Sequence, residues 1–222
     1  ISETNLLYLD NLDELYPNTS CFIFLSQHRS KANIPALTCH STGNFSKNNF
    51  GGKERELGVC YPWLQKQYLI ELNNHKDRVP KYDIIIESTH HGPTSLKKPT
   101  LFIEIGSTEK QWKDENAAHI VCRSLFNAIT KRNEFCEKVA IALGGNHYPT
   151  KFNKLLLESE FGLGSIAAKH DLPYLDNFLI EQMISRNIEE VTFAMVDSKG
   201  LGKEKSRILS ILDDVGIEVI RI

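Results

Sequence analysis

Apolar runs of strand length recur along this chain, at about 20–25, 56–61, 82–88, 100–106, 138–143, 190–196 and 217–222, with helical patterns between several of them. That alternation constrains the fold more than any other feature. It predicts an α/β domain with a mixed, largely parallel sheet flanked by helices. The clearest helical stretch spans about 109–132, where Ala117, Ile120, Val121, Ser124, Leu125, Ala128 and Ile129 repeat at three- and four-residue spacing. Ser107 or Thr108 can cap its start. A second helix is predicted over 176–187 with Asp176 as its cap. A third is predicted over 203–214, with Ile208, Leu209, Ile211, Leu212 and Val215 inward. The 222 residues are read as one domain, 1–222.

Several runs end in residues that carry chemistry. Tyr82-Asp83-Ile84-Ile85-Ile86-Glu87-Ser88 leads into Thr89-His90-His91-Gly92-Pro93-Thr94. Val139-Ala140-Ile141-Ala142-Leu143 leads into Gly144-Gly145-Asn146-His147-Tyr148. Thr100-Leu101-Phe102-Ile103-Glu104-Ile105-Gly106 holds a carboxylate among apolar residues. Imidazole and carboxylate are zinc ligands and general bases. In open α/β sheets, ligands bind at the carboxyl ends of strands. Glu104 is costly to bury without a partner, so it is either half of an ion pair or a ligand or base. Two histidines in tandem on a strand point to opposite faces, but in the turn that follows both can face inward.

Other classes are excluded by composition. The hydrophobic share is 41% and the charged share 24%, which fits a soluble globular chain. No apolar run approaches the roughly 18 residues of a membrane span. The start, Ile1-Ser2-Glu3-Thr4-Asn5, has no basic segment leading into an apolar one and no initiator Met. A fragment or a processed product is the expectation. Five scattered cysteines, Cys21, Cys39, Cys60, Cys122 and Cys136, form no CxxC pair. They read as buried free thiols in a reducing, cytoplasmic compartment. A net charge of -2 gives no global pull toward nucleic acid, although a local basic face is compatible with it.

Residues 26–55 show little periodicity and read as a long functional loop. The stretch holds His28 and His40, three glycines and four asparagines. Such a composition suits backbone amides that wrap an anion. No spacing here is a known zinc motif such as HExxH. On the residues alone the chain reads as an α/β hydrolase-type enzyme with its metal dependence open.

The ordered set of motifs goes further. It runs through Ser26-Gln27-His28-Arg29-Ser30, Thr38-Cys39-His40-Ser41-Thr42-Gly43-Asn44 and Phe50-Gly51-Gly52-Lys53. It continues through Glu87-Ser88-Thr89-His90-His91-Gly92-Pro93-Thr94, Phe102-Ile103-Glu104-Ile105-Gly106-Ser107, Gly144-Gly145-Asn146-His147-Tyr148 and Asp197-Ser198-Lys199-Gly200. This set resembles the archaeal and plant type of D-aminoacyl-tRNA deacylase over nearly the whole chain. There are departures. The strand and helix with which that family begins are absent here. Phe161-Gly162-Leu163 stands where the family often has Phe-Gly-His, and Asn146 where a third glycine is common.

The resemblance implies hydrolysis of the ester between a D-amino acid and the terminal ribose of tRNA, in chirality proofreading and tRNA recycling. It also implies a zinc requirement, a cytoplasmic monomer, and a fold related to nucleoside phosphorylases and peptidyl-tRNA hydrolases. On that reading His90, His91, Glu104 and His147 surround the reacting carbonyl as catalytic or zinc-binding groups, with the roles unassigned. His28 and His40 come next, and Thr42, Gly43 and Asn44 orient the terminal adenosine. Arg29, Lys31, Lys47, Lys53, Lys97, Lys98, Lys199, Lys203, Lys205 and Arg207 are candidate contacts to tRNA phosphates. The alternatives are a phosphorylase or peptidyl-tRNA hydrolase on the same architecture, and a non-catalytic RNA-binding protein. The aromatic pattern of an RRM sheet, which the last would call for, is absent.

Overall fold

A computed structural model describes residues 5–30, 33–131 and 135–222. The described residues form ten strands. They are β1 (Phe22–Arg29), β2 (Ala36–His40), β3 (Gly43–Asn44), β4 (Glu56–Leu57), β5 (Asp83–Ile86), β6 (Thr100–Ser107), β7 (Lys138–Leu143), β8 (Phe161–Ala167), β9 (Phe193–Val196) and β10 (Glu218–Arg221). Seven helices accompany them: α1 (Leu12–Leu15), α2 (Pro62–Asn73), α3 (Glu109–Trp112), α4 (Glu115–Thr130), α5 (Thr150–Glu158), α6 (Asn177–Ser185) and α7 (Lys205–Asp214).

The mixed, parallel-rich α/β architecture is present, divided between two four-stranded sheets. The order β1-β6-β2-β5 forms the first and β10-β9-β7-β8 the second, with β3 and β4 as a separate pair. All pairings in the second sheet are parallel. In the first, β1–β6 and β2–β5 are parallel and β2–β6 is antiparallel. The sheets meet where the chain leaves β5. There Ser88 N donates to His147 O and Thr89 N to Ile166 O, both at 2.9 Å.

Period-two alternation sorts the side chains of the first sheet. Leu37, Cys39, Ile86, Leu101 and Ile103 are buried in a core with Trp63, Leu64, Tyr68 and Leu69 of α2 and with Ala117, Ile120 and Val121 of α4. The opposite face therefore receives Ser26, His28, Thr38, His40, Phe102 and Glu104. In the second sheet, Val139, Ile141 and Leu143 pack with Leu179, Ile180 and Met183 of α6 and with Ile208, Ile211 and Leu212 of α7. The smaller Ala140 and Ala142 face the core that holds Phe152 and Leu156 of α5.

Three expectations need revision. The predicted loop at 26–55 contains β2, a fully buried central strand. The helix predicted over 109–132 is two helices, broken at Lys113 and Asp114, and its last position lies outside the described residues. A capping box on Thr108 starts α3, and Asp114 caps α4 through Ala117 N. All five cysteines are free, but only Cys39 and Cys60 are buried, and Cys122 is exposed on α4. Asp176 does cap α6, as predicted, by accepting from Leu179 N. Among the described residues, no helix is long and apolar enough to cross a membrane.

Candidate active site

The polar face of the first sheet forms one wall of a cavity of about 880 Å³. His28, Glu104, His90, His91, His147 and Tyr148 line it, and Leu6, Leu7, Leu25 and Phe50 add apolar lining. His40 and Glu87 lie behind this lining and are fully buried. The site spreads across the sheet face rather than along one edge, as the strand-end rule had suggested. The reason is the antiparallel β2–β6 pairing, which sets His40, at the carboxyl end of β2, opposite Phe102 near the amino end of β6.

One group is a line of hydrogen bonds. His28 Nδ1 lies 3.0 Å from Glu104 Oε2. A carboxylate only accepts, so Nδ1 carries a proton, and in the neutral ring Nε2 holds the lone pair. In that form Nε2 accepts from the Tyr148 hydroxyl at 2.5 Å. Burial opposes charge on His28, but the bond to Glu104 and the charges of Glu87 and Glu104 outweigh it and raise its pKa. Burial and the charge of Glu87 raise Glu104, against the His28 bond. Trp112 Nε1 donates to His28 O at 3.0 Å and pins the end of β1.

A second group is a cluster of imidazoles. The rings of His40 and His90 lie 4.0 Å apart, those of His40 and His91 4.7 Å, and those of His90 and His91 4.5 Å. Phe102 backs His40 at 5.3 Å and His91 at 4.7 Å. Each Nδ1 meets a backbone carbonyl: His40 with Ser41 O at 3.0 Å, His90 with Ser88 O at 2.8 Å and His91 with Gly92 O at 2.7 Å. A carbonyl only accepts, so all three rings hold their proton on Nδ1 and keep a lone pair on Nε2. Burial and mutual repulsion keep them neutral. His90 is pushed down to about 3, His91 to about 4, and His40 well below its ordinary value.

Between these groups sits Glu87, which the sequence reading did not single out. Its Oε2 accepts from His147 Nε2 at 2.7 Å, and its Oε1 lies 3.3 Å from His28 Nδ1. Burial would raise its pKa, but the His147 bond and the neighbouring imidazoles hold it down at about 2. Nδ1 of His147 lies 3.1 Å from Ser88 Oγ, from which it accepts when the ring is neutral.

Three sets of donor atoms are close enough to share a metal ion: His40, His90 and His91; Glu87, His90 and His147; and His28, Glu87 and Glu104. The residues fit zinc. His40 Nε2 is buried with no hydrogen-bond partner, and the first set presents three imidazole lone pairs fixed by carbonyls. In the other two sets a histidine proton is engaged by a carboxylate.

Thr42, Gly43 and Asn44 lie beside the imidazole cluster and shape its scaffold. Gly43 N donates to His91 O at 2.8 Å, and Asn44 Nδ2 holds Gly51 O at 2.8 Å and Lys53 O at 3.1 Å. A Cβ on Gly43 would fall 2.8 Å from the Thr89 methyl and 2.7 Å from Leu57 Cδ2, so no larger residue fits there. Leu163, where the sequence departs from Phe-Gly-His, is core.

Comparison with known proteins gives the family. The family model described as D-aminoacyl-tRNA deacylase matches residues 15–220. A D-aminoacyl-tRNA deacylase of Cenarchaeum symbiosum is 42% identical over 199 residues, covering 90% of this chain and 76% of that protein. One of Thermococcus onnurineus is 36% identical over 222 residues, covering 97% and 80%. The crystal structure of AF0625, described as a conserved protein of unknown function, superposes with a TM-score of 0.93 at 30% identity, covering 99% of this chain and 78% of that one.

Proposed function

The chain belongs to the D-aminoacyl-tRNA deacylase family, and from that premise we propose that it hydrolyses the ester of D-aminoacyl-tRNA, releasing the free D-amino acid and tRNA. The observation that carries the reading is the hydrogen-bonded line Glu104–His28–Tyr148, open to a cavity beside three neutral imidazoles.

An aminoacyl ester needs an attacking water relieved of a proton, a held carbonyl oxygen and a proton for the departing ribose oxygen. His28 Nε2 is the base position. It takes the proton of the attacking water, and the Glu104 carboxylate stabilises the imidazolium that forms, as a carboxylate does behind any catalytic imidazole. The same Nε2 returns the proton to the ribose oxygen as the ester bond breaks. Tyr148 places its hydroxyl at that nitrogen and orients the groups that replace it there. Glu87 stays ionised and holds His147 through its Nε2. Zinc bound by His40, His90 and His91 would polarise the ester carbonyl and acidify water. The apolar lining residues Leu6, Leu7, Leu25 and Phe50 suit an amino-acid side chain. Cytoplasmic location and a monomeric state complete the reading, as the place and form suited to a tRNA enzyme.

The test is release of free amino acid from D- and L-aminoacyl-tRNA side by side, with and without inorganic phosphate. D-selective release that ignores phosphate supports the proposal. Release that requires phosphate, or none from either ester, overturns it.

A further inference from the structure

The wall made by Asn146, His147 and Tyr148 has a second side. Beyond it lies a cavity of about 290 Å³, and Tyr148 lines both spaces. Lys151, Lys169 and Lys199 line this second cavity, together with one acid, Asp197. Three lysines against one aspartate leave a net charge of +2 there. Of these lysines the sequence reading had singled out only Lys199.

The cations come from three separate segments, and the backbone brings them together. Lys151 lies in the first turn of α5, Lys169 follows β8 and Lys199 follows β9. Lys169 N donates to Gly145 O at 2.8 Å. Gly144 and Gly145 take φ of 103° and 78°, a left-handed path that disfavours other residues. The turn at Gly200 packs so closely on this path that a Cβ on Gly200 would strike Gly145 N. Asp197 is the internal brace. Its Oδ1 accepts from Lys151 Nζ at 2.8 Å and Lys199 N at 3.2 Å. The side chains of Lys169 and Lys199 are exposed, and among the described residues neither forms an ion pair.

We propose that this cavity is the subsite for a backbone phosphodiester of the single-stranded 3′ end of the substrate RNA. The inference rests on the deacylase reading of the adjoining cavity and adds to it where the nucleic-acid chain runs. The ester of an aminoacyl-tRNA sits on the last ribose, and the nearest negative charges are the phosphates one and two linkages back. A chain whose ester reaches His28 and Tyr148 must place those phosphates close by, and this lysine cluster adjoins that reacting centre. Flexible lysines on an open rim suit a phosphodiester that stays partly hydrated. Three of the other basic candidates are less available: Arg207 is bonded to Leu175 O, Leu172 O and Glu204, Lys53 lies 3.8 Å from Glu56, and Lys31 lies outside the described residues.

The experiment measures binding of a labelled, uncharged single-stranded RNA ending in CCA, across a range of salt. The double variant Lys169→Ala/Lys199→Ala should weaken binding about tenfold. It should also lower the slope of log affinity against log salt by about 1.4, for two lost phosphate contacts on a single strand. Lys169→Arg/Lys199→Arg should bind within about twofold of wild type, because either cation holds a phosphate. Lys81→Ala/Lys110→Ala, which removes two exposed lysines lining neither cavity, should do the same. Wild-type affinity and slope in the alanine double variant would overturn the proposal. An equal loss in the Lys81/Lys110 control would too. Inorganic phosphate should displace the RNA no better than sodium chloride at matched ionic strength. Much stronger displacement would identify a free-phosphate site and also overturn it. Because the RNA is uncharged, the result does not depend on turnover. Absent hydrolysis with the predicted binding loss sinks only the reaction, and hydrolysis with unchanged binding sinks only this subsite.

Discussion

His28 and Glu104 meet on a diagonal between neighbouring parallel strands. Ser26 is the register partner of Glu104 and Gly106 that of His28, yet Nδ1 and Oε2 are 3.0 Å apart. The imidazole can lean that way because Gly106 leaves room beneath it. A Cβ on Gly106 would sit 2.6 Å from both Cβ and Cδ2 of His28. The substitution Gly106→Ala should therefore displace a ring held at both nitrogens. The expected cost is about 1–3 kcal/mol of stability, as for other overpacked sites. Turnover should fall further than the loss of folded protein accounts for. Full turnover per folded molecule, measured alongside thermal melting, would show that the ring's position is not set by this glycine.

Glu104→Gln keeps the size of the side chain and an acceptor for His28, but removes the charge behind the imidazole. Hydrolysis should slow by about 10²-fold or more, with RNA binding retained and the melting temperature within a few degrees of wild type. A protein that melts much earlier but turns over normally per folded molecule would make Glu104 a structural ion-pair partner only.

His40 is wholly buried, with a bare Nε2, and touches no solvent-lined part of the cavity. If its lone pair serves a metal, wild-type protein equilibrated with zinc and desalted should retain the ion and melt at a higher temperature than after chelation. His40→Ala should lose at least tenfold in zinc affinity and most of that thermal shift. Wild-type protein that retains no zinc would dismiss the metal.

Asp114 supplies a pH-dependent stability far from the chemistry. Its carboxyl pKa is held down, first by the Ala117 N–H, which outweighs the opposing effect of burial, and further by the Tyr82 hydroxyl at 2.8 Å. A depressed native value means stability that is present above the unfolded value of about 3.9 and is lost as pH falls through the lower, folded value. Asp114→Ala should cost about 1 kcal/mol at pH 7. The gap to wild type should close as pH drops below about 4, in denaturant melts run at both ends. A gap that stayed constant would mean that the cap acts without its charge.

The strongly apolar strands and the amphipathic α4, α6 and α7 were legible in the sequence, because each buries one stripe or one face. Other elements hid for physical reasons. In α2, Gln65, Lys66 and Glu71 are buried along with its apolar residues, so no polar stripe marks a solvent side. Lys66 does so by donating to Ser159 O and Phe161 O. In β8 two glycines break the apolar run. In β2 the alternation Leu37-Thr38-Cys39-His40 was present but only five residues long. Glu87 was overlooked because it closes an apolar run instead of interrupting one. The useful signal was its place directly before Ser88-Thr89-His90-His91, where a carboxylate and two imidazoles share one turn. The tautomers of His40, His90 and His91 were beyond the sequence, because the carbonyls that set them belong to the path of the chain.

Those three carbonyls carry a consequence for how the protein tolerates change. The protons of the imidazole cluster are placed by main-chain oxygens at positions 41, 88 and 92, which no side-chain exchange removes. Neighbouring residues can drift in identity without altering which nitrogen is free. The Glu104–His28–Tyr148 line is the opposite case, since every partner there is a side chain and one substitution can redirect the proton. Mutational drift should therefore reach the proton relay long before it reaches the imidazole cluster.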